Sequence, residues 1–167
     1  MGLDQRRTTG FSLIEVLITL FVIAVAMLGT ASLQAYSLKV NQGSQFRSQA
    51  VLLGTDLLER IEANNQAAIE GAYAATVPQS GTSSACANAL CSPREMAAYD
   101  LSQVGEAMAR QLPEASGVIT FAGAGPYTYT VQINWQERAS RPTTASNRTE
   151  TFSYTVSRTI YDRSGAI

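Results

Sequence analysis

Histidine is absent from this chain of 167 residues. The commonest general base and the commonest metal ligand go with it, and so do serine–histidine–aspartate and cysteine–histidine nucleophiles. Cysteine is scarce: Cys86 and Cys91 are a lone pair. A structural zinc site needs four ligands, which two thiolates without imidazoles do not supply. Charge is sparse as well. The net charge is −1 and no basic run occurs, so nucleic-acid binding lacks its usual electrostatic footprint. Residues 136–167 carry five arginines against three acids, and this reads as solvated surface. Proline is missing between Phe11 and Val77, so one long helix is permitted there. Lysine and arginine are missing from Phe11 to Gln34.

What is present starts with a polar leader, Arg6-Arg7-Thr8-Thr9-Gly10, followed by the apolar run Phe11-Ser12-Leu13-Ile14-Glu15-Val16-Leu17-Ile18-Thr19-Leu20. Phe11 to Leu33 holds 23 residues with one charge, Glu15. At 1.5 Å per residue this is about 35 Å, enough to span a bilayer. An acidic side chain at the centre of such a helix costs about 2.5–3.5 kcal/mol on insertion scales. A charge kept at that cost calls for a partner and a role. A secretory signal peptide, cut after Ala24-Val25-Ala26, is one reading, but Glu15 interrupts its apolar core and the helical pattern runs past the cut. A plain membrane anchor is another, and it leaves Glu15 and the Gly10–Phe11 junction without a reason.

Gly10-Phe11-Ser12-Leu13-Ile14-Glu15 resembles the N-terminal motif of type IV pilins and the related pseudopilins. The resemblance implies that a membrane prepilin peptidase cuts after Gly10 and that the new N-terminus, Phe11, is methylated. It places Glu15 at the fifth residue after the cut, the family's assembly glutamate. Many major pilins carry a helix-kinking proline where this chain has Ser32.

A second amphipathic stretch follows. Tyr36, Val40, Gly43, Arg47, Ala50, Leu53, Leu57 and Ile61 recur at spacings of three and four, with Phe46 beside them. The spacing predicts one helix to about Asn64, with Gly29, Gly43 and Gly54 as soft points, each costing about 1 kcal/mol relative to alanine. Asp56, Glu59, Arg60 and Glu62 lie off the stripe. Residues 53–64 resemble the DLLERI-x-AN stretch of PilV-type minor pilins.

Residues 65–92 are rich in Ala, Gly, Ser and Thr, with Pro78 and Gly81 as punctuation, and read as a loop. In a chain exported across the inner membrane, a Cys86–Cys91 disulfide is the default. Ser92-Pro93-Arg94-Glu95 is a helix start: a capping serine, a proline at the first helical position and a capping-box glutamate. Ala97, Leu101, Val104, Met108 and Leu112 give the apolar stripe, and Pro113 ends it. Asp100 with Gln103 could cap a second helix, which permits a break near Tyr99-Asp100. Met96 and Met108 read as core filling. Residues 86–113 also look PilV-like.

The last third alternates. Ile119 and Phe121 precede the turn Gly123-Ala124-Gly125-Pro126. Tyr127, Tyr129, Val131, Ile133 and Trp135 then share one face, with Thr128, Thr130, Gln132 and Asn134 opposite. After the polar stretch from Ala139 to Thr149, Phe152, Tyr154, Val156 and Ile160 alternate with threonines and serines. Half-buried antiparallel strands look like this, and their apolar faces are expected to pack on Leu53–Ile61. A sugar-binding aromatic row is the sharper alternative. Asn147-Arg148-Thr149 matches a glycosylation sequon, a signal of little weight.

The expected fold is α+β: a long N-terminal helix packed by its C-terminal half on a small antiparallel sheet. The expected division is a leader at 1–10, a transmembrane and fibre-core helix at 11–35, and a periplasmic globular domain at 36–167. The resemblance implies a minor pilin that primes or modifies pilus assembly, near the tip. It implies no catalysis, cofactor or metal. Its implied partners are other minor pilins, the major pilin, the prepilin peptidase and the inner-membrane assembly machinery. A minor pseudopilin of type II secretion, a pilus-tip adhesin and a secreted enzyme are the alternatives.

Overall fold

A computed structural model describes residues 10–78, 86–123, 125–138 and 149–163. The leader residues 1–9 with Arg6 and Arg7, Gly81, and the stretch from Ala139 to Arg148 with most of the sequon lie outside the described residues.

Helix α1 runs from Leu13 to Ala63, 51 residues without interruption. Its polar residues do not break it because their hydroxyls bond back to its own carbonyls. Thr19 donates to the Glu15 and Val16 carbonyls at 2.9 and 2.8 Å, Thr30 to Met27 at 2.9 Å, and Thr55 to Val51 at 2.8 Å. Gly29, Gly43 and Gly54 do not interrupt it either. The chain falls into two compact units, one up to Gln42 and one from Gly43 onward, and α1 contributes to both.

The second unit holds the core. α1 buries Ala50, Leu53, Gly54, Leu57, Leu58 and Ile61 there, a stripe that adds Gly54 and Leu58 to the residues marked by the sequence spacing. Tyr36, Val40 and Arg47, placed on the stripe by spacing, are exposed. Asn64 leaves helical geometry (φ −95°, ψ 61°) and a five-residue helix, α2, follows at Asn65–Ile69. Gly71 then takes φ +75°, and a Cβ there would come within 3.0 Å of the Phe121 ring. Strand β1, Ala75–Val77, comes next. The loop expected over 65–92 therefore contains a helix and a strand. Both are too short to carry a periodic signal.

Helix α3, Pro93–Gln111, starts with the expected capping box: Glu95 N–H donates to Ser92 Oγ at 3.4 Å and Ser92 N–H donates to Glu95 Oε2 at 2.7 Å. It does not break at Tyr99-Asp100. Asp100 faces inward instead, where Arg60 and Tyr73 bind it. Met108 is buried as expected, but Met96 is 36% exposed and lies at the rim of a groove rather than in the core.

Strands β2 (Ser116–Ala122), β3 (Tyr127–Arg138) and β4 (Thr149–Ile160) complete a four-stranded antiparallel sheet in the order β1-β2-β3-β4. Three of these strands are legible by alternation, and β1 is the addition. Tyr129, Val131, Ile133 and Trp135 point inward with at most 2% exposure. Gly54 sits under β4, where a Cβ would meet Tyr154 and Val156 at 3.1 and 3.3 Å. Glycine lets α1 approach the sheet there, so this position is a packing contact. Each fully buried aliphatic side chain of this core stabilises the fold by about 1.5–3 kcal/mol. The fold is α+β, a long helix packed on a small antiparallel sheet.

Candidate functional site

The N-terminal segment carries the residues singled out from sequence. An added Cβ at Gly10 would meet nothing within 4 Å. Phe11 is 84% exposed. The first turn of α1 forms on Ser12, whose carbonyl accepts from Glu15 N–H at 3.1 Å and Val16 N–H at 3.3 Å. Glu15 therefore lies in the first turn, the favourable end of the helix dipole for a carboxylate, and its side chain is exposed. Around it, every large apolar residue from Leu13 to Val40 is exposed. The helix is long and apolar enough to cross a membrane. An apolar surface of this extent marks contact with lipid or protein.

The disulfide links Cys86 and Cys91, with Cα atoms 5.5 Å apart. It stands just before the α3 cap, and Leu90, within the loop it closes, is fully exposed.

A polar node, not found from sequence, ties the end of α1 to α3. Arg60 pairs with Asp56 at 2.9 Å and with Asp100 at 3.1 Å. Tyr73 Oη donates to the second oxygen of Asp100 at 2.7 Å. Asn64 Nδ2 donates to Tyr73 Oη at 3.0 Å and to the Pro93 carbonyl at 2.7 Å. Burial pulls the Arg60 guanidinium down, but its hydrogen bonds to Asp100 and Asp56 outweigh this and leave it raised. Burial, then the bond to Asp100, pushes the Tyr73 phenol well above its ordinary value. Burial also pushes Tyr129, which donates to the Ala68 carbonyl at 2.8 Å, up to about 12. The Ser92 backbone N–H holds the Glu95 carboxyl below its usual range. The signal for Asp100 was available: it is three residues after Ala97 and so falls on the buried face of α3.

These groups satisfy one another, and the node works as a fastener. A groove of about 460 Å³ opens beside it, lined by Arg60, Ala63, Asn64, Cys91, Pro93, Met96 and Asp100. Among the described residues, no group of three His, Cys, Asp or Glu side chains is placed to hold a metal ion.

Residues 5–31 match the family model of the prokaryotic N-terminal methylation motif, and residues 32–102 match that of type IV pilin Tt1218. The chain belongs to the type IV pilins. No curated protein and no solved structure matches it. The pilin family is structural. A pilin with this motif and this apolar helix is a membrane-anchored subunit that interacts with a prepilin peptidase and is later assembled with other pilus components.

Proposed function

We propose that this pilin is a minor subunit of the PilV type, which primes or modifies pilus assembly near the fibre tip. The observation that carries the reading is a lone carboxylate, Glu15, in the first turn of α1, whose stretch from Leu13 to Leu38 is otherwise uncharged and exposes every large apolar side chain. The PilV-like stretches at residues 53–64 and 86–113 support the subgroup. In this reading the peptidase cuts after Gly10 and the amine of Phe11 is methylated. Residues 11–35 then anchor the subunit in the inner membrane, with residues 36–167 in the periplasm. On assembly the same helix joins the fibre core. There Glu15 needs a positive partner, since an unpaired buried charge is strongly destabilising. No lysine or arginine lies between Phe11 and Gln34, so the available cation is the Phe11 amine, supplied by a neighbouring subunit. Pairing between subunits makes Glu15 a register device for incorporation alongside other minor pilins and the major pilin.

Deleting the gene and counting surface pili by electron microscopy tests the reading. The expected result is a loss of pili with protein secretion intact. Normal pili with lost secretion would point to a type II secretion pseudopilin, and normal pili with lost adherence to a tip adhesin.

A further inference from the structure

Strand β4 forms one edge of the sheet, and among the described residues no strand pairs with its outer side. The opposite edge, β1, is three residues long and runs into Pro78, a common way of blunting an edge. β4 lacks such protection. It has twelve residues, no proline and no lysine, and pairs with β3 residue for residue from Thr149↔Arg138 to Ile160↔Tyr127. Its outer side is a straight row of backbone donors and acceptors about 40 Å long.

An apolar strip lies beside this row. The inward residues of β3 are almost fully buried, whereas Phe152, Tyr154 and Val156 of β4 are only half-buried. α1 runs along them in order. The Arg47 guanidinium lies 5.4 Å from the centre of the Phe152 ring, Gly54 abuts Tyr154 and Val156, and Glu62 pairs with Arg158 at 3.0 Å. Val51, four residues after Arg47 and three before Gly54, shares that face and is 41% exposed. On the other face, Thr151, Ser153, Thr155, Ser157 and Thr159 are exposed and uncharged, so they repel no neighbour.

We infer that the β4 edge docks a β-strand from a different, non-identical subunit, added antiparallel in the plane of the sheet. The inference rests on the reading that the chain joins other subunits in a fibre. Topology selects the occupant. Pairing β4 with β4 of a second copy needs a two-fold axis normal to the sheet, which reverses the Gly43–Ala63 helix in the partner. Subunits of one fibre share one helix direction. Copies added side by side in the same orientation bring β1 of one to β4 of the next, antiparallel because the strands alternate, but β1 offers only three residues. A different subunit with a long first strand satisfies both direction and length. Charge completes the specification. Glu150 lies near the start of β4 on the inward alternation and is exposed, whereas Arg158 near the other end is already held by Glu62, so the matching strand has a cation facing Glu150. Its apolar residues face Phe152, Tyr154 and Val156.

The test places the photo-crosslinker benzoylphenylalanine at Ser153, Thr155 or Ser157 of the full chain in cells, with Thr120 of β2 as control. Adducts are mapped by mass spectrometry in membranes and in sheared pili. The expected result is adducts with one segment of one other subunit, moving backward along it as the probe moves forward along β4, and none from Thr120. Adducts with a second copy, adducts scattered over many segments, or none in either fraction would overturn the inference. Thr155→Pro and Val156→Pro form a second arm, because adjacent N–H groups of a strand alternate between β3 and the open edge. The proline at the edge-facing N–H should keep the thermal midpoint within about 5 °C of wild type and lower the pilus-to-membrane ratio about tenfold. A folded variant with an unchanged ratio contradicts the docking. Absence of the wild-type chain from sheared pili would instead break the fibre reading, and the membrane adducts would still decide the strand pairing.

Discussion

In residues 13–42 of α1 every large apolar side chain is exposed, from Val16 at 45% to Leu13 at 85%, whereas in residues 43–63 Leu53, Leu57, Leu58 and Ile61 are buried. The backbone is the same helix throughout, so the difference lies in the side chains. The first stretch is apolar all round and its hydroxyls turn back onto its own carbonyls. The second has one apolar stripe, and its charged residues reach across to other elements, Arg60 to Asp100 and Glu62 to Arg158. One stretch obtains its packing from within the chain. The other must obtain it from lipid or from other subunits. Helix propensity cannot make this distinction, and periodicity can.

The comparison can be broken most severely at the N-terminus, where the account assigns an intermolecular role. Gly10→Val should leave the precursor uncut, while the wild-type protein should begin at Phe11. Intact-mass measurement of membrane protein reads both, and a mature N-terminus after Ala26 contradicts the account. Packing is the next largest difference. Leu57→Ala should cost about 2–5 kcal/mol, as for other leucine truncations in cores. Leu17→Ala should change stability by less than about 0.5 kcal/mol, because Leu17 is exposed and lies outside the buried core. Thermal melts of the two variants in detergent check this, and equal losses would erase the distinction.

The polar node should show a smaller effect. Asp100→Ala leaves the Tyr73 hydroxyl without its acceptor in a buried site and should cost about 1–3 kcal/mol. Asp56→Ala removes a partner of Arg60 that is half exposed, and should cost less than about 1 kcal/mol by urea titration. The least visible effect is nil at neutral pH. Tyr73 and Tyr129 are both held above their ordinary value in the fold. Below about pH 10 both phenols are protonated in folded and unfolded chains, so they give no pH dependence. As pH rises further, the unfolded chain ionises first, and stability falls until the folded phenols ionise in turn. Phenolate absorbance should therefore include a late fraction that rises together with loss of near-ultraviolet dichroism. Complete ionisation with the dichroism intact would contradict the burial of these two residues.

Much of this was legible in the residues themselves. The Ser92–Glu95 capping box, the alternation of Tyr129 to Trp135 and the stripe Leu53–Ile61 each follow a local period or a local hydrogen bond. Neighbours in sequence were enough to find them. The elements that escaped depend on distant partners. α2 and β1 are too short for a period, and β1 is a strand because Ala75–Val77 meets Gly117–Ile119. Asp100 looked like a capping residue because its sequence neighbours allow that role. Its actual partners, Arg60 and Tyr73, stand 40 and 27 residues away. Met96 sits among helical apolar residues but one position off the buried face. At the N-terminus the motif was legible, while the partner proposed for Glu15 belongs to another molecule.

The central claim is that this pilin enters a fibre through Glu15. Glu15→Leu removes the carboxylate and keeps an apolar helix that inserts and is cut after Gly10. The measurement is the amount of the subunit in sheared pili divided by the amount in membranes, beside wild type. The account predicts normal membrane levels with a ratio far below wild type. An unchanged ratio would contradict it.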